Sequence, residues 1–183
     1  RRVLFRSSSF NEALLFDADG IFHQNPENLF SDTGYQETGF YLFRDLKRWV
    51  FEFNWYDKLM YQLGLRKPLK GNKFRNYAFY KERQAWLRRC LNQQKPSNFP
   101  IEWDYIWDDG IPQAPVIETY VDSGVVAINR SKHPETIKCL MHLNENHPDT
   151  YKYVWGDKET FWISALMAKE PFTVNPQWAY EEA

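Results

Sequence analysis

Two aspartates, Asp17 and Asp19, directly follow a short apolar run in the string LLFDADGIF. Carboxylates at the end of a buried strand can hold a hard divalent cation, which prefers oxygen ligands and can bridge a nucleotide diphosphate. Such a cation stabilises the negative charge that develops on a diphosphate leaving group. An Asp-x-Asp pair is also common in turns, because aspartate hydrogen-bonds the turn backbone. The pair alone therefore favours a turn, and it indicates a site only together with other motifs.

Two further polar tripeptides lie next to predicted elements. Asp-Ser-Gly at 122–124 precedes the apolar run VVAI, where a glycine lets a ligand approach the backbone closely. Asp-Lys-Glu at 157–159 opens a helix, where N–H donors and charged side chains can meet a ligand. Each motif also has an ordinary structural interpretation, as a glycine at the start of a strand or an aspartate that caps a helix.

The elements that must position these motifs alternate between strands and helices. Apolar runs predict buried strands at Ala13–Phe16, Gly39–Phe43 and Gly124–Ile128. Helices are predicted as one turn from Pro26, over Tyr77–Leu91, from Pro134 and after Gly156. The helix from Pro134 is expected to turn Ile137, Leu140 and Met141 toward the core. Strand–helix alternation of this kind predicts an α/β fold.

The middle of the chain has a different character. Apolar residues spaced three and four apart predict one long amphipathic helix from Asp45 to Gly64. Residues 66–95 carry ten Lys and Arg against Glu82 alone, and we interpret them as a solvated, helical insertion. A nucleic-acid surface is disfavoured, because no recognisable module accompanies the charge. Residues 96–115, rich in Pro, Trp and acids, predict a loop.

The composition excludes few functions. A formal net charge of -1 gives no global field for nucleic acid, so no nucleic-acid partner is expected. Aromatic residues make up 18% of the chain, which suits a packed core and also a carbohydrate site where rings stack on sugars. Cys90 and Cys139 could form one disulfide, but two thiols do not fix the compartment.

The order and spacing of the three motifs resemble those of the fungal-type Golgi α-mannosyltransferases. The resemblance is carried by SSFNEALLFDADGIFHQNPENLF, TGFYLFRD, VDSGVVAINRSKH and YKYVWGDKETFWISALMAKEPF, most specifically by GDKETFW. It implies a GT-A fold, a GDP-mannose donor, and Mn²⁺ or another divalent cation. It also implies mannose transfer to a glycan or glycoprotein acceptor with retention of configuration. The parent protein would be a single-pass membrane protein of the Golgi lumen.

The resemblance assigns roles to residues on the donor side. Asp17 and Asp19 match the family's metal- and nucleotide-binding acidic pair. Ser123 and Gly124 match its donor-side strand entry. Gly20 is a departure, because relatives usually carry a larger residue after the acidic pair.

The candidate catalytic residues are Asp157, Lys158 and Glu159, which match the family's acidic motif near the transferred sugar. We expect Asp157 to face the Asp-x-Asp pair across a cleft at one sheet edge. Lys158 is expected to be a charge partner, either of the diphosphate or of a neighbouring acid, and to stay protonated. No late histidine is present to complete a metal shell, and His133 is interpreted as structural or surface.

Two alternatives remain open from the residues. LLFDADGIF and GDKETF also resemble motifs of haloacid-dehalogenase-type phosphatases, but Ile21 replaces the expected Thr and Phe161 stands where a late carboxylate should be. A non-catalytic carbohydrate-binding domain could use Trp103, Trp107 and Trp155 as stacking platforms.

The ends of the chain carry their own expectations. Residues 1–7, RRVLFRS, resemble the translation of a sequencing-library adapter, and we expect them to be a non-native scar. Residues 8–183 are then a partial glycosyltransferase catalytic domain that contains the 66–95 insertion. The resemblance implies that the early nucleotide-binding β/α units are missing. The isolated fragment is therefore expected to transfer little or nothing.

Overall fold

The computed structural model describes residues 10–17, 24–45, 49–50, 59–60, 63, 77–108, 116–117, 120–154 and 156–177. The chain divides into two compact units. The first unit consists of Arg1–Lys47 and Thr119–Ala183, and it contains the three polar motifs. The second unit is Arg48–Glu118.

Strands and helices alternate within the described residues, which confirms the predicted α/β class. The strands are β1 (Glu12–Phe16), β2 (Phe40–Arg44), β3 (Trp49–Val50), β4 (Val116–Ile117), β5 (Val121–Asn129) and β6 (Thr173–Val174). The α-helices are α1 (Thr33–Thr38), α2 (Tyr77–Cys90), α3 (Pro134–Glu145), α4 (His147–Thr150) and α5 (Thr160–Ala168). Two 3₁₀ helices span Pro26–Ser31 and Ile101–Ile106.

The first unit contains a four-stranded mixed sheet with the strand order β1-β5-β2-β6. Strands β1 and β2 both pair antiparallel with β5, and β6 pairs parallel with β2. The apolar run Val126, Ala127 and Ile128 of β5 is fully buried, so the sheet is covered on both faces at these positions. The three predicted strands are confirmed as strands, with β5 beginning three residues earlier than the apolar run alone indicates. The predicted burial is wrong for β1, which is half-buried and ends on an exposed Phe16.

Helices α3 and α5 pack against each other in the same unit. Residues 160–166 of α5 are all buried, which is typical of a helix that is apolar around its whole circumference. The buried face of α3 is Thr136, Leu140, Leu143 and Asn144, so the predicted core face is correct at Leu140 and only half-buried elsewhere. The predicted face is displaced because two polar residues, Thr136 and Asn144, are buried beside Leu140 and Leu143. Among the described helices, none is long and apolar enough to cross a membrane.

Helix α1 was not predicted, although its ends carry ordinary signals. The Asp32 carboxylate accepts the N–H of Gly34 at 2.8 Å, which caps the first turn. Gly39 ends the helix with a φ of 73°, and its N–H donates to the carbonyl of Tyr35 at 2.6 Å. The helix is short, and only Tyr35 is buried, so apolar periodicity gave no signal.

His133 is structural, which confirms one of its two interpretations. The imidazole is fully buried, and its Nε2 lies 2.7 Å from the carbonyl of Thr38. Its Nδ1 lies 3.5 Å from the Glu170 carboxylate, which also accepts the N–H of Thr136 at 2.9 Å. The histidine therefore joins the end of α1 to the start of α3.

The predicted long helix of residues 45–64 is wrong at Asp45, which directly follows β2 and is not helical, and at Trp49 and Val50. These two residues form β3, which pairs antiparallel with β4 in the second unit. Aromatic and β-branched residues fit a pleated surface well, and a segment this rich in them matches both periods by chance. Residues 59–60 are helical, and the remaining predicted helix positions after Val50, except Leu63, lie outside the described residues.

Helix α2 confirms the predicted helix within the basic segment, but its inner face is not solvated. Arg83 is buried, and its guanidinium carbon lies 4.1 Å from the centroid of the Trp103 ring. The buried Gln84 donates to the carbonyls of Tyr105 and Asp108, both at 2.6 Å. We call Arg83, Gln84, Trp103 and Tyr105 the aromatic cluster.

The predicted loop of residues 96–115 contains a 3₁₀ helix at Ile101–Ile106. Trp103 and Ile106 of this helix are fully buried. The sequence did not predict the burial of Trp103 and Ile106, because isolated apolar residues in a polar, proline-rich segment give no periodic pattern.

The two cysteines are both free thiols in this structure. Cys90 lies on α2 and Cys139 on α3, and each is half-buried. The disulfide that the sequence left open is therefore not formed.

Candidate functional site

Three chain segments of the first unit meet at one edge of the sheet. Because β1 and β2 both run antiparallel to β5, their C-terminal ends lie beside the start of β5. The N–H of Asp17 donates to the carbonyl of Gly124 at 2.8 Å. The N–H of Asp45 donates to the carbonyl of Tyr120 at 3.3 Å. Two aspartates that directly follow different strands are thus brought to the same end of β5.

A β-bulge interrupts the pairing of β2 with β5 at this edge. Leu42 lies opposite Val126, whereas the next residue, Phe43, lies opposite Asp122. Residues 123–125 of β5 therefore have no partner on β2. Bulges of this kind bend a strand and redirect its side chains, often beside functional sites. The bulge coincides with the Ser-Gly pair that the sequence assigns to the donor side.

Ser123 connects the bulge to the segment that precedes α5. Its buried hydroxyl donates to Oδ1 of Asp157 at 3.1 Å. Because Asp17 bonds the neighbouring Gly124, all three sequence motifs have at least one residue at this edge. Asp19 lies outside the described residues, so its place beside Asp157 stays a prediction.

Gly124 permits a close approach, and in this structure the approaching group is a carboxylate of the same strand. The N–H of Gly124 donates to Oδ1 of Asp122 at 3.1 Å. A Cβ placed on Gly124 would lie 2.7 Å from Oδ2 of Asp122, which real Cβ atoms do not tolerate. The absence of a Cβ at Gly124 therefore leaves room for the Asp122 carboxylate to fold back on the backbone. A direct contact of Gly124 with a donor stays a prediction.

The segment that carries Asp157 is fixed to the start of α5. The carbonyl of Asp157 accepts the N–H of Thr160 at 3.0 Å and its hydroxyl at 2.6 Å. Asn144 of α3 donates to the same Thr160 hydroxyl oxygen at 3.1 Å. The structure does not show the helix cap that was the alternative for Asp157, because its carboxylate contacts Ser123 and the cap residue of α5 is Glu159.

Lys158 forms ion pairs with two acids from different segments. Its Nζ lies 2.8 Å from Oδ2 of Asp45 and 3.3 Å from Oδ1 of Asp122. Burial by itself lowers the pKa of Lys158, but the hydrogen bond and charge of Asp45, followed by those of Asp122, outweigh burial and raise it. Of the two partners left open by the sequence, neighbouring acids are the ones this structure shows.

Glu159 is fully buried, and both of its carboxylate oxygens have protein donors. Oε1 accepts the N–H of Tyr120 at 2.7 Å, and Oε2 accepts the indole N–H of Trp162. The Tyr120 and Trp162 rings also pack edge to face, with centroids 5.6 Å apart. These contacts hold the start of β5 against α5. A direct catalytic role of Glu159 stays a prediction.

We call Asp45, Asp122, Ser123, Asp157 and Lys158 the edge cluster. Its three carboxylates outnumber its single ammonium, so the cluster is acidic overall. An acidic edge can accept a negatively charged nucleotide only with an added cation, and oxygen ligands suit a hard divalent ion. Within the described residues, no group of three potential ligands is arranged to hold a metal. The metal-binding role of Asp17 and Asp19 therefore stays a prediction.

Comparison with known proteins identifies the family. A family model with the description "Mannosyltransferase putative" matches residues 5–181. The chain belongs to this mannosyltransferase family. The match includes the basic segment 66–95, which the sequence resemblance had left outside.

Named relatives of this mannosyltransferase family come from two yeasts. A Candida albicans protein named "Putative alpha-1,3-mannosyltransferase" is 31% identical over 94% of this chain and 18% of its own length. An alpha-1,2-mannosyltransferase of the same species is 30% identical over 91% of this chain and 27% of its own length. An alpha-1,3-mannosyltransferase of Saccharomyces cerevisiae is 28% identical over 90% of this chain and 20% of its own length. The chain spans between 18% and 27% of the length of these relatives.

Sequence reasoning missed Asp45 and gave Asp122 no role of its own. Asp45 follows β2 directly, as Asp17 follows β1, so the same strand-then-aspartate pattern could have found it. Its assignment to a long helix concealed that pattern. The pairing of both acids with Lys158 depends on the strand order, which no local pattern predicts.

Proposed function

We propose that the protein carrying this chain transfers mannose from a sugar nucleotide to a glycan acceptor. Membership in the mannosyltransferase family supports the reaction class. The observation that carries the proposal is the hydrogen bond between Ser123 and Asp157, with Asp17 bonded next to it. It joins the segments whose motifs match the donor side and the sugar side of the reaction. The same membership disfavours the phosphatase alternative.

The donor that we propose is GDP-mannose, bound with Mn²⁺ or another divalent cation. Asp17 and Asp19 would supply carboxylate ligands to that ion, and the diphosphate and water would supply others. When bound, the cation offsets the charge on the leaving diphosphate. The acidic character of the edge cluster supports this assignment, because two anionic partners need a cation between them.

Asp157 is our candidate for the carboxylate beside the transferred mannose. A retaining transfer needs a negative group near the anomeric carbon, where positive charge develops. The Ser123 hydroxyl binds Oδ1 of Asp157 and thereby orients the carboxylate. Both a covalent sugar–enzyme intermediate and a front-side return remain compatible with this geometry.

Lys158 and Glu159 act as positioning residues in this proposal. Lys158 neutralises part of the acidic edge through Asp45 and Asp122. Glu159 accepts hydrogen bonds from Tyr120, just before β5, and from Trp162 within α5, so it connects these two elements. Lys158 directly follows Asp157 and Glu159 is the next residue, so together they limit the movement of Asp157.

We further propose a GT-A arrangement and a location in the Golgi lumen with a membrane anchor, as the family resemblance implies. The mixed sheet with flanking helices supports the first of these. The second would be contradicted if tagged full-length protein stayed in the supernatant after membranes were sedimented and was digested by added protease without detergent.

The test is a transfer assay on the full-length protein that carries this sequence. Mannose transfer from GDP-mannose to mannoside acceptors should require a divalent cation and should stop when EDTA is added. Asp19→Asn should abolish most transfer, because it replaces an anionic ligand with a neutral one, and it should leave the melting temperature almost unchanged. Phosphate release from generic phosphoesters would instead support the phosphatase alternative. Glycan binding without nucleotide or metal dependence, and without transfer, would support the carbohydrate-binding alternative.

A further inference from the structure

Asp45 is a buried carboxylate to which the reaction proposed above gives no role of its own. It directly follows β2 and is 7% exposed. A buried carboxylate is costly to keep charged unless it is paired. Its Oδ2 lies 2.8 Å from the ammonium of Lys158, which is itself one third exposed. The pair therefore links the protein interior to the more open surface of the edge cluster.

The three residues after Gly156 are each fixed by a side-chain contact. Asp157 accepts the Ser123 hydroxyl, and Glu159 accepts the N–H of Tyr120. These two contacts reach only β5 and the residue before it. Lys158, between them, reaches Asp45 after β2. Asp45 thus provides a contact that attaches this segment to a second strand.

The position of Lys158 depends on both of its acids, but not equally. An ammonium has three N–H donors, so Lys158 can donate to Asp45 and pair with Asp122 at the same time. Asp122 is 39% exposed in its side chain and Asp45 only 10%, so solvent screens the Asp122 contact more. Asp45 is also the shorter contact, and it is the stronger constraint of the two.

We infer that Asp45 is a positioning residue for mannose transfer, which holds Lys158 and thereby fixes the adjacent Asp157 beside the sugar. This inference rests on the proposed function. Misplacing a reacting carboxylate by about 1 Å can cost roughly 100-fold in rate, so a contact this close to Asp157 can control turnover without touching substrate.

The raised pKa of Lys158 gives the inference a second readout. Burial lowers this pKa, and Asp45 is the first of the two acids that raise it. Among the described residues, the charged groups that pair with Lys158 are Asp45 from the end of β2 and Asp122 from β5. Removing the Asp45 charge should therefore move the pKa of Lys158 to lower values.

The experiment compares Asp45→Asn with Asp149→Asn in the full-length protein. Asp149 forms an exposed ion pair with Lys152 at 2.6 Å, so it is a matched control for the same substitution. Asp45→Asn should lower kcat for mannose transfer by roughly 10- to 100-fold, with the KM for GDP-mannose within about threefold of wild type. The pH at which the activity of Asp45→Asn declines on the alkaline side should be lower than in wild type. The control should match wild type in all three quantities.

A second measurement needs no activity. Labelling of the Lys158 amine with acetic anhydride across a pH series, read by mass spectrometry, reports the pKa of that lysine. The midpoint should fall in Asp45→Asn and stay unchanged in Asp149→Asn. An unchanged midpoint in Asp45→Asn would overturn the pairing on which the inference depends. A lower midpoint with wild-type kcat and pH profile would overturn the positioning role.

A double variant keeps the test valid if Asp45→Asn fails to fold. Asp45→Asn with Lys158→Met removes both charges of this pair, so neither partner is left charged opposite a neutral side chain. Because Asp45 acts through Lys158, the double variant should transfer mannose as fast as Lys158→Met alone. A further tenfold loss in the double variant would contradict the inference. Absence of any transfer by wild type, with the labelling shift intact, would overturn the proposed function and this role together while leaving the ion pair established.

Discussion

Two regions of the molecule bury charged side chains, and they stabilise them with different partners. In the edge cluster, the carboxylate of Asp45 meets an ammonium that remains one third exposed, and the net charge is negative. In the aromatic cluster, the guanidinium of Arg83 lies over the Trp103 ring. Gln84 there donates to two backbone carbonyls.

This difference distinguishes the edge cluster, as a candidate functional site, from the aromatic cluster, as a structural core. In the aromatic cluster, the Arg83 guanidinium lies over a ring face and the neutral Gln84 amide donates to main-chain carbonyls, so both side chains contact fixed parts of a buried core. Charge in the edge cluster is balanced between side chains at the ends of strands, where a cation or a phosphate can still change the balance. We therefore expect substitutions in the edge cluster to change rates and those in the aromatic cluster to change stability.

The largest effect is expected at Asp157. Asp157→Asn keeps the shape of the side chain but removes the negative charge beside the sugar. Transfer should fall by roughly 1,000-fold in kcat/KM, with little change in melting temperature. Steady-state kinetics and thermal melting on the same preparation check both parts. Activity within threefold of wild type would remove Asp157 from the chemistry.

Trp103→Ala should produce the opposite pattern. The indole is fully buried, so truncation leaves a cavity and uncovers Arg83. The free energy of unfolding should fall by about 3–5 kcal/mol, measured by urea denaturation. Ile101→Ala on the same 3₁₀ helix is the control, because Ile101 is 78% exposed, and it should change stability by less than about 0.5 kcal/mol. Equal losses in the two variants would show that the aromatic cluster is not a core.

Gly124→Ala is expected to lower kcat by about tenfold, because it disturbs the edge cluster. The added Cβ would lie 2.7 Å from Oδ2 of Asp122 and would push that carboxylate away from Lys158. The loss corresponds to about one hydrogen bond to a charged group. Asp122→Ala in the same background removes the clashing atom, so it should recover melting temperature without recovering activity. Recovery of neither would place the strain elsewhere.

The smallest effect concerns alkaline pH. The pKa of Lys158 is raised above its ordinary value of 10.5, so its contribution to stability is complete below pH 10.5 and is lost as pH rises through the folded value. The melting temperature of wild type should therefore approach that of Lys158→Met only above pH 10.5. Melting curves from pH 8 to pH 11.5 test the trend. A constant difference across that range would contradict it.

The sequence predicted the main elements of the edge cluster better than those of the aromatic cluster. Strands β1, β2 and β5 followed from apolar runs, and the site residues Asp17, Ser123 and Asp157 followed from polar motifs beside them. These signals are local, so one sequence is enough to read them. The GT-A arrangement and the metal site rest on resemblance and stay predictions.

What the sequence could not predict depends on contacts between distant segments. Asp45 was assigned to a helix, and only the pairing of β2 with β5 brings it near Lys158. The bulge at residues 123–125 follows from strand register, which has no signature in a single chain. Trp103 gave no periodic signal, because one buried anchor in a polar segment matches neither a helix nor a strand pattern.

The central claim is that the edge of the sheet holds the donor, and a crystal structure of the full-length protein with GDP and Mn²⁺ tests it most directly. The account predicts the diphosphate and the metal beside Asp17 and Asp19, with Asp157 facing the space that the mannose would occupy. Nucleotide bound against the aromatic cluster, or on a face of the sheet away from Asp17 and Asp157, would contradict it.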